Sequence, residues 1–210
     1  MKLSGKTVVV AVDFQGGPID SDPRHGEFSA DSFARVAMRN RAQVLLKAAR
    51  AADVPVVWIQ EIHKPHMQDI GRELDGSEGP HCIEGVPTTR IVDGLGPTGD
   101  EFLVQKRRYS AFFETDLDIV LNAYQAETLI LFGGFTDICV LYTAVDAHQK
   151  DYVVRVMTDL VSGSSRAAHD DALEMIGHLQ KGSLVTSEDV LEWIETPVPH
   201  EAPTRDGASK

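Results

Sequence analysis

The chain has 210 residues and a net charge of −12, with 20 Lys and Arg against 32 Asp and Glu, and only two Cys. That length supplies one generous domain, able to bury roughly 70% of its unfolded surface without disulfide staples. No Lys/Arg run is longer than the three residues Lys106, Arg107 and Arg108, so the electrostatic footprint of a nucleic-acid binder is missing. Cys82 and Cys139 cannot form a disulfide framework, which predicts a reducing compartment and makes a lone Cys a candidate nucleophile. The N-terminal MKLSGKTVVVAVDF lacks the long apolar region and cleavage site of a signal peptide. No apolar stretch approaches the ~20 residues of a membrane span. A cytoplasmic protein without a membrane partner is expected.

In chain order, Thr7 to Asp13 reads as the first strand, apolar on both faces. Ala34, Ala37, Met38, Leu45, Ala48, Ala49 and Ala52 then share one helical stripe, with Ser29 or Asp31 as the cap and Arg35, Arg39, Lys47 and Arg50 on the opposite face. Further strands are predicted over Pro55 to Ile62, Glu101 to Arg107, Thr128 to Gly133, Tyr152 to Thr158 and Ser183 to Thr186. Helices are predicted over Asp116 to Tyr124, Asp137 to Lys150, Ser165 to Gln180 and Ser187 to Ile194, each opening on Ser or Asp. Strands alternating with helices are the pattern of an α/β protein with a doubly wound parallel sheet. His63 to Gly99 breaks the rhythm, rich in Gly and Pro without a period, as lids and binding loops do. The pattern is that of a single domain over 1–196, with a polar tail over 197–210.

In such a sheet, ligands bind outside the carboxyl ends of the strands. The first strand ends in Asp13, the third in Lys106, and the fourth leads through Gly133, Gly134, Phe135, Thr136 and Asp137 into Cys139 at a helix start. Singly, each has a bland reading: a turn cap, a solvated lysine, a buried inert thiol. Together, an acid, a base and a thiol at one sheet edge suit acyl transfer through a thioester. Lys106 and the helix end are expected to stabilise the Cys139 thiolate, and Asp13 to move its proton. Backbone N–H groups near the Gly-rich turn are placed to hold an oxyanion.

The segments VVVAVDFQ, VQKRRYSAFFETDLD and LILFGGFTDICVLYTAVDA resemble, in order and spacing, the three signature regions of the isochorismatase-like cysteine hydrolases. This family includes nicotinamidases and N-carbamoylsarcosine, ureidoacrylate and biuret amidohydrolases. The resemblance implies a three-layer fold around a six-stranded parallel sheet, an Asp13–Lys106–Cys139 triad cleaving a C–N bond of a small amide or ureido compound, and a homo-oligomer. It also implies a cis peptide from Gly134 to Phe135, with the N–H groups of Phe135 and Cys139 as oxyanion hole. The chemistry requires no cofactor. Members that cleave vinyl ethers typically carry Gly where this chain has Cys139, so an amide-cleaving enzyme is favoured over a vinyl-ether hydrolase or a non-catalytic ligand-binding domain.

Glu61-x-His63 and GPHCIEG, which contains His81 and Cys82, are similar to the nicotinamidase metal site, with Glu in place of Asp and His66 close by. Carboxylate and imidazole suit Zn, Mn or Fe. The alternative is a set of solvated or pocket-lining histidines, with Cys82 structural. Gln15, Tyr109, Phe112 and Phe113 are candidate pocket residues, core packing being the alternative for the aromatics. Beyond Gln15 the family's acidic residue and Phe are replaced by Gly16, Gly17 and Pro18, so no one relative's substrate carries over.

Overall fold

Strand β1 (Lys6–Val12) has no polar alternation because both of its faces are covered. Val8, Val10 and Val12 point into one core and Val9 and Ala11 into the other, all fully buried. Its backbone pairs in parallel with β2 (Val56–Glu61) on one side and β4 (Ala126–Gly134) on the other. The computed structural model describes residues 6–17, 32–76 and 78–195. It completes the sheet with β3 (Phe102–Lys106), β5 (Val153–Ser162) and β6 (Leu184–Val185), in the order β3-β2-β1-β4-β5-β6 with every pair parallel.

Helices α1 (Ser32–Ala51) and α5 (Ser187–Glu195) cover one face through Ala42, Leu45, Leu46, Ala49, Val190 and Ile194. Helices α2 (Leu117–Ala123), α3 (Leu141–Gln149) and α4 (Arg166–Leu179) cover the other through Leu117, Leu121, Ala144, Ala147, Ala172 and Ile176. The fold is therefore the three-layer, doubly wound arrangement. No described helix is long and apolar enough to cross a membrane.

Two elements differ most from the sequence pattern. Strand β5 runs on to Ser162 instead of ending at Thr158, because after a register irregularity Val161 and Ser162 pair with Gly133 and Gly134. The polar Asp159, which looks like a strand end, instead accepts from the backbone N–H and hydroxyl of Ser187 at the start of α5. The helix expected from Asp137 begins as one turn of π-helix, Thr136–Val140, before α3. Ser29, Asp31 and the 197–210 tail lie outside the described residues.

The strand order reverses direction between β1 and β4, which opens a crevice at their carboxyl ends. The irregular segment after β2 folds over this edge. It contains short 3-10 turns at Gly71–Asp75 and Pro87–Thr89 and is pinned by bridges from Gln15 to Ile91 and from His63 to Ile83.

Candidate active site

Asp13 follows β1 in the left-handed region, φ 46°, and this turns its carboxylate into the crevice. Its Oδ1 accepts from the Glu61 N–H at 2.8 Å, and Oδ2 lies 2.8 Å from Lys106 Nζ. Lys106 ends β3, two strands away, and its fully buried side chain reaches across the end of β2. Its ammonium also donates to the Arg108 carbonyl at 2.9 Å, to Cys139 Sγ at 3.3 Å and to Glu61 Oε2. Cys139 Sγ is 3.6 Å from Glu61 Oε2. Asp13, Lys106 and Cys139 thus converge, and Glu61 joins them, although its sequence context pointed only to the metal-like cluster.

The approach of β4 to β1 depends on Gly133. At φ 127° a Cβ there would sit 1.8 Å from the Val12 carbonyl oxygen, which only glycine avoids. The Gly134–Phe135 peptide bond is cis, and the π-turn that follows presents Cys139. That turn is braced from behind. Thr136 Oγ1 bonds His169 Nδ1 at 2.8 Å, and Asp137 accepts from the Ser164 backbone N–H at 2.8 Å. His169 is buried, its ring supporting this turn. Ser165 caps α4 by accepting from the Ala168 N–H.

Burial lifts the Asp13 carboxyl from 3.8 to about 6, against the pull of Lys106. Burial also raises Glu61, but Lys106 and the adjacent His63 and His81 rings outweigh it and hold this carboxyl well below its usual range. Burial opposes charge on Lys106, yet Asp13, Cys139 and Glu61 keep the ammonium well above 10.5. The Cys139 thiol is pushed well above 9 by burial, with Lys106 pulling it down and Asp13 and Glu61 pushing it up. The resting thiolate expected from Lys106 and a helix end is therefore corrected. Two carboxylates share the lysine, and the resting site holds a neutral thiol beside a weak acid.

A second cluster adjoins this one. Glu61 Oε1 lies 2.8 Å from His81 Nε2 and 3.4 Å from His63 Nε2, and Glu73 Oε2 lies 3.4 and 3.8 Å from the same nitrogens. Both ring nitrogens of His63 and both carboxylate oxygens of Glu73 are buried without a hydrogen-bond partner. Four ligands about 2.1 Å from a tetrahedral ion stand roughly 3.4 Å apart, so the donors fit a divalent cation. The adjacent Glu61 and Glu73 carboxylates raise His81 to about 10, which shows how strongly the cluster attracts positive charge. Glu73 has no signal in the sequence, since it sits in an aperiodic insertion. His66 stands apart, exposed in a turn where it accepts from the Gln68 N–H.

The crevice widens into a cavity of about 540 Å³ above Cys139, with Gln15, Tyr109, Phe135 and Cys82 in its wall. The Gln15 amide is spent on the scaffold: its nitrogen donates to the Glu61 and Thr89 carbonyls, and its oxygen accepts from the Glu61 N–H. Phe112 and Phe113 are corrected as pocket residues. Phe112 is buried in the core and stacks on Tyr152, while Phe113 is 53% exposed, because the chain after Tyr109 turns away toward α2. Arg35 and Arg39, placed on a solvent face by helical periodicity, line the cavity with Met38.

Comparison with known proteins agrees with this geometry. Ureidoacrylate amidohydrolase RutB of Methylorubrum extorquens is 27% identical over 93% of this chain and 82% of its own. The solved cysteine hydrolase of Pseudomonas syringae superposes with a TM-score of 0.76 at 28% identity, over 90% of this chain and 92% of its own. Nicotinamidase PncA of Bacillus subtilis superposes at 0.70 with 25% identity, over 87% and 100%. The Isochorismatase domain matches residues 7–189, nearly the whole described length. On that match the chain belongs to the isochorismatase family.

Proposed function

We propose that the protein is a cysteine amidohydrolase, cleaving a C–N bond of a small amide or ureido compound through a thioester on Cys139. The observation that supports this best is the convergence of a thiol, a buried ammonium and a carboxyl raised to about 6 on one cavity floor. Asp13 takes the thiol proton as Sγ attacks the carbonyl carbon. Negative charge moves to the carbonyl oxygen, held by the N–H groups of Phe135 and Cys139. The C–N bond then breaks and the departing nitrogen takes the proton from Asp13. Asp13 next removes a proton from water, whose oxygen attacks the thioester, releasing the acid and returning the proton to sulfur. Lys106 keeps its charge throughout, so each state of Asp13 and Cys139 retains a counter-ion.

Glu61, His63, Glu73 and His81 are the residues that would hold a divalent ion. A bound Zn, Mn or Fe supplies Lewis acidity at that side of the cavity. Glu61 then serves both clusters, facing the histidines with Oε1 and Lys106 with Oε2.

Ammonia release from a panel of nicotinamide, N-carbamoyl amino acids, ureidoacrylate, biuret and aliphatic amides tests the activity. Cys139→Ala is expected to abolish turnover, and mass spectrometry of the quenched wild type to show an acyl adduct on Cys139. Full activity in Cys139→Ala would overturn the proposal in favour of thiol-independent hydrolysis. Elemental analysis of the wild type and of Glu73→Gln tests the ion.

A further inference from the structure

We propose that the substrate is an anion, an amide or ureido compound carrying a carboxylate away from the scissile bond, and that Arg35 and Arg39 bind that carboxylate. This deepens the amidohydrolase reading and rests on it for the chemistry at Cys139.

Arg35, Met38 and Arg39 lie at i, i+3 and i+4 of α1 and share the face that lines the cavity. The Arg39 Nε is buried without a hydrogen-bond partner, and among the described residues no acid forms an ion pair with either guanidinium. The same helix supplies the contrast. Arg50 is held by Glu101 at 2.7 Å and Arg41 faces Asp159 at 3.9 Å, so among the described residues these two have acids and the two that line the cavity do not. A guanidinium presents a planar fork of donors that matches a carboxylate.

The remaining charges of the cavity favour this end for an anion. Lys106 is committed to Asp13 and Glu61, while the other charged lining side chains Asp13, Glu61 and Glu78 are acids that offer an anion nothing. In a chain of net charge −12, the overall field repels an anionic substrate, so local cations must hold it. A neutral ring amide would leave both guanidiniums without a counter-charge among the described residues.

Succinamate and its neutral isostere succinamide separate the possibilities. We expect wild-type kcat/KM to favour succinamate by at least about tenfold, the worth of one charge-assisted hydrogen bond. That preference should fall toward unity in Arg39→Gln and Arg35→Gln and be partly kept in Arg39→Lys. Calorimetric titration of the Cys139→Ala protein with each compound reads binding without turnover. Succinamate binding that weakens in Cys139→Ala/Arg39→Gln, with no hydrolysis by the wild type, would sustain the anion site and remove the amidase reading. Equal binding or turnover of the two compounds, no binding of succinamate, or an equal loss for both in Arg39→Gln would overturn it.

Discussion

Asp13→Asn should stabilise the protein at neutral pH while destroying its activity. Burial lifts this carboxyl from 3.8 to about 6 in the folded state. Between those values the native chain binds a proton that the unfolded chain has released, so stability falls as pH rises across that window. At about 1.4 kcal/mol per pKa unit, roughly two units cost the wild type about 3 kcal/mol above pH 6. Asparagine keeps the shape and the acceptor for the Glu61 N–H, and Lys106 retains Glu61 as its partner. For a chain of this size about 3 kcal/mol corresponds to roughly 6–12 °C in Tm. Calorimetric scans of both proteins at pH 4 and pH 7 should therefore show the variant's Tm advantage growing by about that amount. A difference that is the same at both pH values, or that shrinks toward pH 7, would refute the claim that Asp13 is a buried, weakened acid. Loss of the base should also lower kcat by at least about 100-fold.

The same carboxyl sets the pH dependence of the reaction. Since Asp13 must be ionised to accept the thiol proton, kcat/KM should rise through about pH 6. It should then stay level to pH 9, because the thiol titrates well above that. An alkaline decline centred near pH 8, the ordinary thiol range, would contradict the buried neutral thiol. At the backbone, Gly133→Ala forces a Cβ against the Val12 carbonyl, at a cost of several kcal/mol. Soluble protein with a Tm within two degrees or so of wild type would show that the β1–β4 approach is not as tight as described.

The sheet was legible because strands buried on both faces are apolar throughout, and VVVAVDF could be nothing else at that length. The convergence of Asp13, Lys106 and Cys139 was legible for a related reason, since each interrupts or follows such a run where an open sheet places its site. Periodicity was blind where burial comes from distant partners. It put Arg35 and Arg39 on a solvent face because helical spacing does not know what an insertion elsewhere covers. It had no means of finding Glu73, which meets Glu61, His63 and His81 through an insertion whose sequence has no period. It ended β5 at Thr158 because Asp159 is polar, although that carboxylate is used to cap α5.

Sequence alone determined which groups this protein brings to its edge, through residue identity and strand order. Only the tertiary structure decided their ionic states. A thiol and an acid titrate according to how much water they lose and how many charges share one lysine. Burial on the crevice floor, with Glu61 at the end of β2 adding a second carboxylate beside Lys106, is what leaves Cys139 protonated and Asp13 weakly acidic.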